Sequence, residues 1–278
     1  MKHLAVVLFI ACHAHAETAG SFSAKEFHND AGSRLPYRLF IPEHTEPDTR
    51  YPLVVWLHDV MGLGNDNLRQ IEYTNDPGSH VWIEPDTQAR HPAFVVAPQC
   101  PVGSLWVNFL SRTPSRKLWL ALELIDSLKR DYPIDTDRIY VVGQSMGGFA
   151  TWALLAARPD DFAAAIPVAG GGRVAKAHLF AQVPIWVFHG GRDPLVPVHE
   201  ARRMVDALHK AGGEPRYSEF EHLGHSVGFW QEVFKQPDLV DWLFAQKRGS
   251  PRTGHPGGRK DQGSLVRSSV LSKNRDGT

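Results

Sequence analysis

The chain has 278 residues with 30 basic and 30 acidic side chains, so its formal net charge is zero. Hydrophobic residues make up 42% and charged residues 22% of it, which excludes a fully disordered, collagen-like or polytopic membrane protein. The two cysteines, Cys12 and Cys100, are too few for a disulfide scaffold or an all-cysteine zinc site. The length suits one large α/β domain or two small ones.

The zero net charge conceals an uneven distribution along the chain. Residues 247–278 contain eight basic and two acidic side chains, whereas residues 17–246 contain 21 basic and 28 acidic ones. An acidic body argues against a nucleic-acid partner. The last segment has few aliphatic residues to bury, so we predict that 247–278 is a disordered basic tail.

The N-terminal segment has the pattern of an export signal. Lys2 precedes an apolar run from Leu4 to Ala11, and Ala14-His15-Ala16 supplies the small residues that a signal peptidase requires. We predict a signal peptide over 1–16 and a secreted or periplasmic protein; a buried N-terminal strand is the alternative. The run is too short for a membrane span. Lipid attachment at Cys12 is the less favoured reading, because the preceding residues match a lipobox only loosely.

Residues 17–246 alternate between two kinds of segment. After an antiparallel hairpin predicted over 21–41, unbroken apolar runs are typical of strands buried on both faces of a parallel sheet. These runs are 53–57, 93–97, 139–142, 164–169 and 185–189, with a further strand expected at 216–221. Segments of helical period lie at 117–130, 200–210 and 238–245. The alternation predicts an α/β fold, a mostly parallel central sheet flanked by helices.

The strongest chemical motif is Gly143-Gln144-Ser145-Met146-Gly147, a G-x-S-x-G sequence. It lies directly after a predicted strand and before an apolar helix. The chain must turn sharply there, and the turn lifts the Ser145 hydroxyl above the sheet beside a helix N-terminus. That helix end offers N–H groups to a developing oxyanion. The sequence therefore predicts Ser145 as a nucleophile.

A serine nucleophile needs a histidine base that is oriented by a carboxylate, in the chain order serine, acid, histidine. Asp193 follows the carboxyl end of a predicted strand, and His225 follows Gly224 in a later loop. The rival acids Asp206, Asp241 and Glu200 fall within or at the start of helices, and the rival base His222 falls at a strand end. We therefore expect a triad of Ser145, Asp193 and His225.

The remaining site residues follow from the loop after the first buried strand. A second oxyanion donor should come from the backbone N–H of Val60 or Asp59, together with that of Met146. As candidates to line the substrate cleft we take His58, Trp106, Asn108, Gln144, Phe149 and Trp230. Phe149 and Trp230 are large apolar residues, so burial in the core is the alternative for both. The sequence contains no His-Glu-x-x-His zinc motif and no nucleotide-binding glycine loop, so we expect neither a metal nor a cofactor.

Together these residues resemble the α/β-hydrolase superfamily, and within it the secreted esterases related to predicted peptidases and polyhydroxybutyrate depolymerases. The matching stretches run through most of 34–246 and are 34–42, 52–58, 64–67, 97–101, 137–148, 188–193, Val196-Pro197 and Gly224-His225. The resemblance implies an α/β-hydrolase fold with Ser145 as nucleophile, Asp193 as acid and His225 as base.

One departure from this resemblance concerns the loop after His58. The similar esterases usually have glycine directly after the loop histidine and often two residues later, where this chain has Asp59 and Met61. If the loop requires a positive φ there, a non-glycine residue is strained. A carboxylate pointing inward would also oppose a developing oxyanion.

Three functions remain open at this stage. The favoured one is a secreted serine carboxylesterase. Residues 170–183, where a cap would be inserted, are few, so no large cap domain is expected. The cleft should be open to short acyl, aryl or polymer-linked esters. The alternatives are a peptidase of prolyl-oligopeptidase type and a noncatalytic binding protein on a hydrolase scaffold. The oligomeric state is left open.

Overall fold

The structure, a computed structural model, describes residues 21–72 and 77–250. The predicted signal peptide, Cys12 and most of the predicted tail lie outside these residues. Eight strands form one sheet, in the order β1-β2-β4-β3-β7-β8-β9-β10. Their bounds are β1 Phe22–His28, β2 Arg34–Phe40, β3 Tyr51–Leu57, β4 Phe94–Pro98, β7 Ile134–Gln144, β8 Ala164–Val168, β9 Trp186–Gly190 and β10 Arg216–Phe220.

Most neighbouring strands of this sheet are parallel. The first two form the predicted hairpin, in which Phe22 pairs with Phe40 and His28 with Arg34, and β2 is antiparallel to β4. From β4 onward every pair is parallel. Strands β3, β4, β8 and β9 are buried along their whole length, as unbroken apolar runs predict. The sheet therefore confirms the predicted fold class.

Helices cover both faces of the sheet and create two separate cores. One core contains the buried faces of α4, α5 and α6, and the other contains those of α7 and α8. The helices are α1 Arg69–Glu72, α2 Pro77–His80, α3 Pro85–Arg90, α4 Arg116–Asp131, α5 Met146–Ala157, α6 His199–Lys210, α7 Val227–Phe234 and α8 Leu239–Phe244. The three predicted helices correspond to α4, α6 and α8, each to within one residue at either end.

Short insertions, rather than a domain, lie above the sheet. Between β8 and β9 the chain makes a single 3-10 turn, Val174–Leu179. A two-residue hairpin, β5 Val107–Asn108 and β6 Thr113–Pro114, precedes α4. Within the part of the chain that the structure describes, no helix is long and apolar enough to cross a membrane.

The first residues of the predicted tail, 247–250, are among the described ones. Arg248 in this stretch contacts the folded body. Its guanidinium is 2.7 Å from Asp137 Oδ1, and its backbone N–H donates to the Asp137 carbonyl oxygen at 2.9 Å. The charge of Arg248 therefore belongs to the folded part of the chain.

Candidate active site

Ser145 occupies a tight turn between β7 and α5. Its φ of 51° and ψ of −116° are unusual for a residue with a side chain, and its N–H donates to the Val168 carbonyl oxygen at 2.8 Å. A Cβ on Gly147 would lie 1.8 Å from the Leu57 carbonyl oxygen. Only glycine therefore allows the start of α5 to pack directly against the end of β3, which fixes the position of the Ser145 hydroxyl.

Two side chains from later loops form a hydrogen-bonded series that starts at this hydroxyl. His225 Nε2 lies 2.8 Å from Ser145 Oγ, and His225 Nδ1 lies 2.6 Å from Asp193 Oδ2. Asp193 follows the end of β9, and His225 follows β10. Because parallel strands bring their carboxyl ends to one edge of the sheet, residues far apart in sequence converge there. The Trp230 indole contacts the His225 ring edge-to-face, with 4.9 Å between centroids, and so restrains its orientation.

The Asp193 carboxylate is held in its ionised form. Burial raises its pKa, but the hydrogen bond with His225 and those from the N–H groups of Val196 and Leu195 lower it by more, so the net pKa lies below its ordinary value. The two backbone bonds go to Oδ1, at 2.8 and 2.9 Å. His189, which the sequence analysis did not single out, supports the same loop through Nε2, 2.8 Å from the Val196 carbonyl oxygen.

The cavity at Ser145 includes two of the three predicted oxyanion donors. Val60 and Met146 both line a cavity of about 250 Å³ that contains Ser145. Neither N–H donates a hydrogen bond to another described residue. Asp59, the other predicted donor, instead lines a separate cavity of about 10 Å³. The geometry therefore favours Val60 over Asp59 as the partner of Met146.

The conformation of Asp59 removes both expected difficulties of this loop. Its φ is −76° and its ψ −172°, an extended conformation without strain. Its Oδ1 caps a 3-10 turn over Val60–Gly62, accepting hydrogen bonds from the N–H groups of Met61 at 2.8 Å and Gly62 at 3.3 Å. Its Oδ2 accepts from Gln144 Nε2 at 3.2 Å. The carboxylate therefore links the loop to the residue before Ser145.

His58 is a buried support of the same loop. Its Nδ1 lies 2.5 Å from the Asp59 carbonyl oxygen, and its Nε2 accepts the N–H of Cys100 at 2.9 Å. Burial lowers the pKa of His58 from 6.5 to about 4, despite the opposing effect of Asp59. The ring is therefore neutral near pH 7. Cys100 is itself fully buried, and burial raises the pKa of its thiol to about 12, so it packs as a small apolar residue.

Of the predicted cleft residues, Phe149 lines the cavity at Ser145, whereas His58, Trp106, Asn108, Gln144 and Trp230 do not. Trp106 is fully buried against the His58 ring, with 5.2 Å between centroids, and Gln144 is 1% exposed. Trp230 packs behind His225. Side chains at the ends of central strands are covered by the loops above them, so proximity in sequence to these strands does not bring a residue to the surface. The residues that line the cavity are Val60, Phe109, Arg112, Ser145, Met146, Phe149, Leu195, Val196, Pro197 and Glu200.

A charged pair forms one wall of this otherwise apolar cleft. The Arg112 guanidinium lies 4.4 Å from the centre of the Phe149 ring and 3.3 Å from Glu200 Oε1. Glu200 is therefore an ion-pair partner at the start of α6 and not the acid of the triad. Asp241, another rival acid, pairs with Arg90 and His91 on the surface. Within residues 21–72 and 77–250, no cluster of three histidine, cysteine or acidic side chains could hold a metal ion.

Comparison with known proteins relates the chain to a hydrolase family and to esterases. A profile of the Dienelactone hydrolase family matches residues 38–232. A solved structure titled as a thermostable esterase has a TM-score of 0.77 and 40% identity, and the match covers 82% of this chain and 63% of that one. A bifunctional acetylxylan esterase/xylanase of Neocallimastix patriciarum is 26% identical over 171 residues, which is 62% of this chain and 23% of that protein.

A shorter match joins the chain to polyester depolymerases. A poly(3-hydroxyalkanoate) depolymerase C of Paucimonas lemoignei is 45% identical over 49 residues, 18% of this chain and 12% of that protein. The matched part of this chain thus spans less than two thirds of each of these three relatives. The match to the solved esterase agrees with the α/β-hydrolase fold, and the names of the relatives agree with the resemblance to esterases found from the motifs.

Proposed function

Because the chain belongs to the dienelactone hydrolase family, we propose that it hydrolyses carboxylic esters with Ser145 as the nucleophile. The observation that supports this most is the unbroken hydrogen-bonded series from Ser145 Oγ through His225 to Asp193, at 2.8 and 2.6 Å. These distances are within the reach that proton transfer requires. In this proposal each of the three side chains has a separate task.

The ionised Asp193 determines which nitrogen of His225 carries the proton. A carboxylate can only accept, so the His225 proton resides on Nδ1 and the lone pair of Nε2 faces the Ser145 hydroxyl. As Ser145 Oγ attacks the carbonyl carbon of the ester, Nε2 takes the hydroxyl proton. The imidazolium formed in this way is stabilised by Asp193, which does not itself accept the proton.

The attack converts the ester carbonyl into a tetrahedral intermediate with a negative oxygen. The N–H groups of Val60 and Met146 stabilise that oxygen, since neither donates to an acceptor in the described part of the chain. When the intermediate collapses, the ester C–O bond breaks and the alcohol leaves with the proton from His225 Nε2. Water, deprotonated by the same nitrogen, then attacks the acyl group on Ser145 and releases the acid.

The cleft limits the substrates that fit next to Ser145. Its volume is about 250 Å³, and its side chains are mostly apolar, among them Phe109, Phe149 and Leu195. No inserted domain covers it, because only the 3-10 turn Val174–Leu179 lies between β8 and β9. We propose short acyl or aryl esters, including esters attached to a polymer, as in the acetylxylan esterase and polyester depolymerase to which the chain is similar.

The proposal is tested with 4-nitrophenyl acetate and butyrate and a fluorophosphonate probe. We expect ester hydrolysis and labelling of Ser145 in the wild-type protein, and loss of both in Ser145→Ala. The matched control is Ser127→Ala on α4, which should keep both properties. Equal rates in wild type and Ser145→Ala would overturn the proposal.

The alternative functions predict different outcomes of the same experiment. A peptidase would release a fluorescent amine from a peptide amide and leave both esters intact. A noncatalytic binding protein would neither turn over the esters nor react with the probe. For the esterase we expect ester turnover and probe labelling without amide cleavage, and the hydrogen-bonded series at Ser145 favours this outcome.

We also propose that the protein is exported and that its signal peptide ends at Ala16. The support is the pattern of Lys2, the apolar run Leu4–Ala11 and the Ala14-His15-Ala16 cleavage sequence. Mass spectrometry of protein recovered from the periplasm or medium should find Glu17 as the first residue. A lipid-modified Cys12 at the N-terminus, or an intact Met1, would contradict this cleavage.

A further inference from the structure

The cleft at Ser145 adjoins a second, larger cavity of about 570 Å³, the distal pocket. Arg112 and Glu200 line both cavities and therefore form the wall between them. The residues that line the distal pocket are Leu110, Ser111, Arg112, Gly172, Arg173, Val174, Ala175, Glu200 and Arg203. A substrate that extends past this wall from Ser145 would enter the distal pocket.

The distal pocket is positively charged. Its lining contains three arginines, Arg112, Arg173 and Arg203, and one carboxylate, that of Glu200. Glu200 is already paired with Arg112, and its side chain is only 15% exposed. Arg173 and Arg203 are exposed, and neither side chain has an ion-pair or hydrogen-bond partner among the described residues. Two guanidinium groups are therefore available to an anion.

This concentration of arginines runs against the net negative charge of the segment 17–246 in which it lies. Residues 17–246 hold 28 acidic and only 21 basic side chains. At long range such a body repels anions. Any preference of the enzyme for an anionic substrate would therefore have to arise from local contacts, and the distal pocket is where the described residues offer them.

The backbone holds Arg112 firmly between the two cavities. Its φ of 53° is left-handed, which is uncommon for a residue with a long side chain. Its N–H donates to the Asn108 carbonyl oxygen at 2.7 Å, and Asn108 Oδ1 accepts the N–H groups of Leu110 and Ser111, each at 3.0 Å. The turn between β5 and β6 thus presents the Arg112 guanidinium on the Phe149 ring.

Glycine in the neighbouring loop makes room for the other half of this wall. A Cβ on Gly171 would lie 2.3 Å from Glu200 Oε2, so only glycine lets the Glu200 carboxylate lie against this part of the chain. Arg112 uses one of its N–H groups for Glu200, and its remaining donors make no hydrogen bond to another described residue. The wall can therefore also contribute donors to a bound oxygen.

We propose that the distal pocket binds a carboxylate of the substrate, so that the preferred substrate is an ester whose acyl or alcohol part bears a carboxylate. Arg173 and Arg203 bind the carboxylate with the planar, two-pronged geometry that guanidinium groups favour, while the ester lies across the Arg112 wall at Ser145. This inference rests on the proposed ester hydrolysis and adds the charge of the substrate to it.

Matched pairs of esters test the inference. On the acyl side these are the mono-4-nitrophenyl esters of adipic, suberic and sebacic acid, each compared with its monoamide, in which a neutral carboxamide replaces the carboxylate. On the alcohol side, the acetate ester of 4-hydroxyphenylpropionate is compared with the corresponding amide. The quantity measured is the ratio of kcat/KM for the acidic ester to that for the neutral one.

In wild type we expect this ratio to be about five for at least one of the pairs. In the double variant Arg173→Ala/Arg203→Ala it should fall to about one. The side of the ester that shows the preference identifies which part of the substrate enters the distal pocket. High salt should reduce the wild-type preference, because the two arginines are exposed. The control Arg130→Ala, an exposed arginine on α4, should keep the wild-type ratio.

Failure of this inference is separable from failure of the proposed function. If the neutral esters are hydrolysed but no pair shows a preference in wild type, or the preference survives in the double variant, the distal pocket does not bind a carboxylate. If 4-nitrophenyl acetate is hydrolysed but no acidic ester is, only this inference fails. If neither 4-nitrophenyl acetate nor any member of the pairs is hydrolysed, the proposed function fails and this inference fails with it. A thermal unfolding scan of the double variant ensures that the comparison is made on folded protein.

Discussion

His225 and His58 lie on two loops at the same edge of the sheet, where β10 and β3 end, and both ring nitrogens of each have a partner. The partners of His58 are backbone groups, and burial keeps its ring neutral near pH 7. The partners of His225 are the side chains of Ser145 and Asp193, one of which can supply a proton. The comparison teaches that the atoms at its two nitrogens, more than a position after a strand, determine whether a histidine is suited to transfer protons.

The largest effect expected from this comparison is on catalysis. His225→Gln should lower kcat for 4-nitrophenyl acetate by about 1,000- to 10,000-fold, because no other described side chain is hydrogen-bonded to the Ser145 hydroxyl. The matched control is His222→Gln, three residues earlier in the same loop. A variant that retains more than a tenth of the wild-type kcat would show that His225 is not the base.

The corresponding change at His58 should act mainly on stability. His58→Ala removes a buried ring together with two hydrogen bonds and leaves the Cys100 N–H without its acceptor. We expect the free energy of unfolding, measured with urea, to fall by about 3 kcal/mol. If His58→Ala instead lowered kcat as much as His225→Gln and left the free energy of unfolding unchanged, the structural role of His58 would be contradicted.

The low pKa of His58 predicts a loss of stability in acid. In the unfolded chain the ring titrates near 6.5, and in the folded protein near 4, so between these values the unfolded state binds more protons. The free energy of unfolding should therefore fall from about pH 6.5 down to about pH 4, by up to about 3 kcal/mol.

Urea titrations at several pH values between 7 and 4 measure this loss. His189, whose pKa is also lowered by burial, contributes in the same direction, so the test is the difference between variants. His58→Gln should have a shallower dependence than wild type, whereas His44→Gln, at an exposed histidine, should match wild type. Equal slopes in wild type and His58→Gln would refute the low pKa.

The smallest expected effect concerns Asp59, which joins the loop of His58 to the residue before Ser145. Asp59→Ala removes the cap of the 3-10 turn and the bond from Gln144, and should cost about 1 kcal/mol of stability. Asp59→Ser retains a capping oxygen but not the bond to Gln144. If that bond positions Val60, both variants should lower kcat severalfold and weaken binding of a trifluoromethyl ketone, which needs the oxyanion donors.

Stability and function can be separated at this position. A role confined to the cap would be restored in Asp59→Ser, in kcat as well as in the melting temperature. A gain of activity in Asp59→Ala would instead support the expectation from the sequence that a carboxylate here opposes the oxyanion. The extended conformation of Asp59 and its three hydrogen bonds, one of them from Gln144, argue that both variants lose activity.

The features that could be predicted from the sequence are those encoded locally. The hairpin over 21–41, the buried strands and the turn at Ser145 each depend on a short pattern of apolar residues or glycines, and the structure contains them. Asp193 and His225 could be proposed because the order of the triad along the chain is constrained by the topology of the sheet.

The features that could not be predicted depend on contacts across the chain. Arg112 and Phe109 reach the cleft from a hairpin with strands of two residues, too short to leave a periodic pattern. Glu200 reads as an ordinary acidic residue in the first turn of a helix, and its place beside Arg112 becomes visible only in three dimensions. Trp106 is predicted to line the cleft, but it is fully buried, with the ring of His58 packed against it.

The proposed acyl-enzyme on Ser145 is tested most directly by rapid quenching of the reaction with 4-nitrophenyl acetate, followed by mass spectrometry of the peptides. We predict a burst of nitrophenol close to one per chain, together with an acetyl group on the peptide that contains Ser145 and on no equivalent peptide of Ser145→Ala. Nitrophenol release from wild type with no acetyl group on Ser145 at any quench time would contradict the account.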